Sequence, residues 1–187
     1  MRIARFATFV LFLAVGLSLA AAAPRPVAAA SAVEIDAEVV AALARFYQEV
    51  PAGKDLAQKA KGILVFPSVI KAGFGIGGEY GEGALRVGGK TVGYYNTAAA
   101  SIGLQIGAQS RVEVLMFMTD EALERFRSSD GWEVGVDGSV ALITIGVAGE
   151  IDTNTNNDPV IGFIFGEQGL MANLSLEGAK ITRIDKS

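Results

Sequence analysis

Val39, Val40, Leu43, Phe46, Tyr47 and Val50 recur at intervals of one, three and four residues and stop at Pro51. That spacing predicts an amphipathic helix over residues 36–50. Ser31 stands three residues before Glu34, the capping-box spacing that starts such a helix. A second short helical piece, residues 54–61, carries three lysines with Leu56, and Gly62 ends it. Beyond it the apolar pattern changes from helical spacing to short runs and alternation, so the rest of the chain reads mostly as strand.

The strand candidates are residues 63–67, 84–87, 90–95, 101–109, 111–118, 138–151, 159–165 and 169–184. Gly88-Gly89 between two of them is a two-residue hairpin signal. Residues 111–118 are apolar on both faces beyond Glu113, as an interior strand is. One helix interrupts the series at 119–126: Thr119 caps it, Asp120 and Glu121 sit at its positive end, and Ala122, Leu123 and Phe126 face inward. The expected fold is α+β, a mainly antiparallel β barrel or sandwich with an N-terminal helix and one central helix.

The first thirty residues differ from the rest. Arg2 and Arg5 precede an apolar run from 6 to 20, followed by small residues, which is the layout of an export signal. Sites ending at Ala22, Ala30 or Ala32 fit a peptidase, and cleavage near Ala30 would leave a single domain over 31–187. The whole chain carries a net charge of −4; without residues 1–30 it would hold 13 basic and 20 acidic residues, a balance that disfavours nucleic acid. The absence of Cys and His removes disulfides, thiol or Ser-His-Asp nucleophile systems, and His or Cys ligation of zinc. No cofactor is expected.

Several stretches imitate known chemistry. KAGFGIGGEYGEG (71–83) contains G-x-G-x-x-G at Gly73, Gly75 and Gly78, but Gly81, Gly83 and two acids follow where a dinucleotide site needs a helix, so the segment reads as β-structure, with strand pairing expected through 73–83. Gly88-Gly-Lys-Thr91 resembles the end of a P-loop, yet Ala84 stands where its first glycine belongs. Asp152, Asn154 and Asn156 match three calcium-loop positions, with Phe163 where the bidentate Glu should be. Glu79, Glu82, Glu113, Asp137 and Glu150 are the carboxylates available to a hydrolase. Asn173-Leu-Ser175 is a formal glycosylation sequon.

Five segments in order, AKGILVFPSVIKAGFGIGGEYGEG (60–83), SIGLQIGAQ (101–109), TDEALERF (119–126), GWEVGVDGSVA (131–141) and GEQGLMANLSLEGAKI (166–181), together resemble the SYLF-domain family. The resemblance implies a non-enzymatic domain that binds membrane lipid. The eukaryotic members' Trp and Pro after the first glycine-rich segment are replaced here by Tyr94-Tyr-Asn-Thr97, so their phosphoinositide and actin binding do not carry over. The expected partner is membrane phospholipid, and actin is not expected for an exported protein. The expected location is periplasmic or secreted, peripheral on a membrane.

Lys54, Lys59, Lys61 and Lys71 form a local basic cluster that could meet anionic headgroups, beside Phe46 and Tyr47 on a stripe that could lie on a bilayer. The same stripe could equally pack on the domain's own core. The rival functions are a structural or protein-interaction module of the envelope and a carboxylate-based hydrolase.

Overall fold

A computed structural model describes residues 30–143, 158–166, 169–170 and 176–186, with side chains withheld at 73–76, 101–108 and 169–170. The expected leader, the polar loop with Asp152, Asn154 and Asn156, Glu150 and the sequon lie outside the described residues.

Helix α1 spans Ala32–Glu49 and opens on the full capping box: Glu34 N donates to Ser31 Oγ, and Ser31 N donates to Glu34 Oε2 at 2.8 Å. The short helix α2, Gly53–Lys59, follows directly. Two long strands come next, β1 at Gly62–Val87 and β2 at Lys90–Phe117, paired antiparallel along their length. Gly88 and Gly89 join them with φ of 56° and 78°, the left-handed geometry of a tight hairpin that glycine adopts without penalty. Helix α3, Asp120–Ser128, is capped by Thr119 as the sequence predicts.

The remaining strands are short: β3 (Trp132–Glu133), β4 (Ala141–Leu142), β5 (Val160–Gly166), β6 (Gly169–Leu170) and β7 (Lys180–Ile184). On the side away from β1, β2 pairs with β7 through residues 94–98 and with β5 through residues 112–117. Its second half is therefore the interior strand expected at 111–118. All pairings of named strands are antiparallel except β4 with β5. Among the described residues the architecture is α+β, a curled half-barrel sheet with three helices.

Two expectations change. The separate strands at 63–67 and 84–87 belong to one strand, as do those at 90–95, 101–109 and 111–118. Register shifts between Phe66/Val69, Gly73/Gly75 and Leu85/Arg86 absorb the irregularities that otherwise would have ended them. The single strand expected at 169–184 instead contains a turn at Glu177-Gly178, where Gly178 has φ of 76°.

Strand β1 curls back on itself. Residues eighteen apart in a straight strand would be about 60 Å apart, yet a Cβ added at Gly83 would overlap the carbonyl oxygen of Val65. A Cβ at Gly81 would stand 2.7 Å from the Ser68 oxygen. The glycine-rich segment thus lets β1 fold back on its own first turn of strand, and no helix begins near Gly78.

Alternation along the strands divides the core in two. Val65, Val114, Met116, Ile161, Phe163 and Phe165 face α1 and meet Ile35, Val39, Leu43 and Phe46. Leu64, Phe66, Leu115, Phe117 and Ile164 face the other way, onto Leu123, Phe126 and Trp132.

Candidate functional site

A groove of about 610 Å³ opens between α1, α2 and the closed end of the β1–β2 hairpin. Val40, Leu43, Ala44 and Tyr47 of α1 form one wall, Ala57 and Ala60 the second, and Ile63 belongs to the adjoining stretch of β1. Val40 is 54% exposed, although it is a large apolar side chain one residue from Val39 and three from Leu43, which are both buried. The spacing of 40, 44 and 47 explains this: these residues lie at the edge of the helical stripe, past the part that the sheet covers.

Three cations line the groove, Lys54, Lys61 and Arg86, and no Asp or Glu is among its lining residues. Lys54 and Lys61 are exposed and Arg86 is half-buried. Arg86 donates to the Gly89 carbonyl, which turns its guanidinium toward the hairpin end of the groove. Lys61 pairs at 3.2 Å with the largely exposed Asp120, a contact that water and salt weaken. Burial pushes the Tyr47 phenol above its usual 10, and the nearby Arg86 charge offsets part of the rise, so the group keeps its proton at neutral pH.

The expected site residues therefore separate. Lys54, Lys61 and Tyr47 come together at the groove. Lys59 is exposed outside the lining, and Lys71 is engaged elsewhere, 3.1 Å from Glu79. Phe46 is fully buried, edge-on to Phe163 with ring centroids 4.7 Å apart. It cannot touch a bilayer from there, so the central part of the stripe packs on the sheet and only its edge remains open. Sequence reasoning missed Val40's exposure, Ala44, Ala57, Ile63 and Arg86. Arg86 is brought in by the hairpin register, a long-range relation that local spacing does not carry.

Two of the candidate carboxylates do converge. Arg111, on β2, donates to Glu113 Oε1 at 2.8 Å and pairs with Glu79 across the curl, and Lys71 closes the chain of charges. Glu113 is 1% exposed; burial raises its carboxyl above the usual 4.5, while Arg111 opposes the rise and Glu79 adds to it. These acids do not line the groove. Their position, tying the two halves of the bent β1 to β2, makes them a brace. Asp137 accepts from Glu133 N at 2.7 Å within a turn.

Two further ties hold the helical layer on. Asp36 of α1 accepts from Thr91 Oγ1 at 2.7 Å and from the Tyr94 hydroxyl at 3.1 Å. Near the C-terminal end, Lys186 Nζ donates to Glu82 Oε2 at 2.8 Å and to the Ala30 carbonyl at 3.0 Å.

The described residues thus form a curled sheet that carries a basic-rimmed apolar groove, with Glu79 and Glu113 held in a charge brace away from it. Residues 98–187 match the model of the Ysc84 family, described as Las17-binding protein actin regulator, in agreement with the resemblance to the SYLF-domain family. The match takes in four of the five resembling segments. The fifth, 60–83, and every residue lining the groove precede it. No individual curated protein matches the chain closely enough to be compared with it.

Proposed function

We propose that the chain is an exported, non-catalytic lipid-binding protein of the cell envelope that meets anionic phospholipid at a membrane surface. The observation that carries this reading is the combination of an exposed apolar wall and three cations, with no acid in the lining. Apolar surface at Val40 and Tyr47 can enter the interface while Lys54, Lys61 and Arg86 meet phosphate, each basic group near the surface contributing about 1 kcal/mol. Among the described residues no helix is long and apolar enough to cross a membrane, which fits peripheral contact through this face. The charged first residues and the apolar run at 6–20 support export.

The family's description names actin regulation. An exported chain would not meet actin, and the groove's chemistry suits a lipid.

Vesicle flotation tests the proposal. The protein should float with vesicles rich in phosphatidylglycerol and much less with phosphatidylcholine alone, and Lys54→Glu with Lys61→Glu should abolish flotation. Equal recovery with both vesicle types, or none with either, rejects the reading.

A further inference from the structure

We infer that the groove takes up a single acyl chain with an anionic head, as a monomer drawn out of the lipid phase. This rests on the reading of the chain as a lipid binder and adds to it a defined stoichiometric site. A surface that merely rests on headgroups has no need of a concavity. Here the void is about 610 Å³, within the range of roughly 300–1,000 Å³ typical of small-molecule sites.

The composition of the walls selects the class of ligand. Apolar side chains from two helices and a strand face one another across the void, with Val40 and Ile63 the larger aliphatic ones exposed or half-buried there. These apolar stretches suit a flexible hydrocarbon chain and would leave the polar groups of a sugar-like ligand unpaired along them. The charged groups present are all donors, Lys54, Lys61 and Arg86, and the protonated Tyr47 and the Gln58 amide beside them can also donate to an anion. A carboxylate or phosphate monoester satisfies them, and a neutral or cationic head does not. The open turn also leaves room for a head. A Cβ at Gly88 or at Gly89 would meet nothing within 4 Å.

Isothermal titration with laurate and with dodecyl phosphate, both below their micellar concentrations, tests the inference, with dodecyl maltoside as the neutral comparator. Saturable binding of one equivalent of an anionic amphiphile is expected, and at least tenfold weaker binding of the maltoside. Laurate against dodecyl phosphate distinguishes a fatty acid from a phosphate-headed lipid as the better ligand.

Ala57→Trp fills the void and should weaken binding at least tenfold. Val40→Asp, at a position already exposed, puts a repelling carboxylate in the wall without disturbing the core and should do the same. Lys180→Glu makes a larger charge change of the same sign on β7, away from the groove, and should leave affinity unchanged. Absence of saturable binding, or binding indifferent to both groove variants, overturns the inference. If anionic vesicles still float the protein in that case, the surface reading survives; if they do not, both fall. A photo-crosslinker at position 40 that captures the chain's own residues 1–30, or a second copy, in place of added laurate also overturns it.

Discussion

Gly83 lies with its Cα hydrogen against the carbonyl of Val65, two points of one strand brought face to face by its curl. Any side chain at 83 would collide with backbone that cannot move aside cheaply. Gly83→Ala should therefore cost at least about 3 kcal/mol. Gly88→Ala meets no neighbour and pays only for its left-handed φ, about 1–2 kcal/mol. Chemical denaturation of the two variants should rank them in that order; equal losses would mean that the close approach is not a constraint.

Phe46 anchors the helical layer on the sheet, packed edge-on to Phe163, with its ring centroid 5.9 Å from that of Phe165. Phe46→Ala should destabilise by about 3–5 kcal/mol. The loss belongs to folding: protein that remains folded at low temperature should still float on anionic vesicles. Selective loss of flotation at unchanged melting temperature would return Phe46 to the membrane face.

Two glutamates should pull the pH dependence of stability in opposite directions. Burial raises Glu82, but the Lys186 and Tyr80 hydrogen bonds, the Lys186 charge and the Ala30 backbone outweigh it and leave the carboxyl below its usual 4.5. Its stabilisation is present above that value and is lost as pH falls through the lower folded pKa. Glu113 is raised above 4.5 by burial, so stability falls as pH climbs from 4.5 through its higher folded pKa. Glu113→Gln should flatten that decline, read as melting temperature against pH; an unchanged profile would mean that Glu113 is ionised without cost.

Lys186→Ala leaves the part-buried Glu82 without its cation. A loss of about 1–3 kcal/mol is expected, together with a shallower acid limb because Glu82 then titrates nearer its ordinary value. A melting temperature within error of the parent would show that the tie adds nothing.

What the chain's order of residues reveals depends on the range of the interaction. Ser31 with Glu34, Thr119 before Asp120, and Gly88-Gly89 are local devices, and each forms as the spacing predicts. The glycine-rich 71–83 segment is legible as strand, but its purpose is not, because the contact of Gly83 with Val65 exists only after β1 has curled. Likewise, the lysine cluster looks continuous in sequence, yet Lys71 lies on the strand that places it beside Glu79 and away from Lys54 and Lys61. Periodicity identified the α1 stripe without telling which residues the sheet would cover. Phe46 went inside and Val40 stayed out.

The most direct measurement is paramagnetic broadening of backbone amide signals by phosphatidylglycerol carrying a nitroxide on its acyl chain. The account predicts broadening centred on Val40, Ala44, Ala57 and Ile63, lost in the Lys54→Glu, Lys61→Glu double variant. Broadening centred elsewhere on the sheet, or none at saturating lipid, would contradict it.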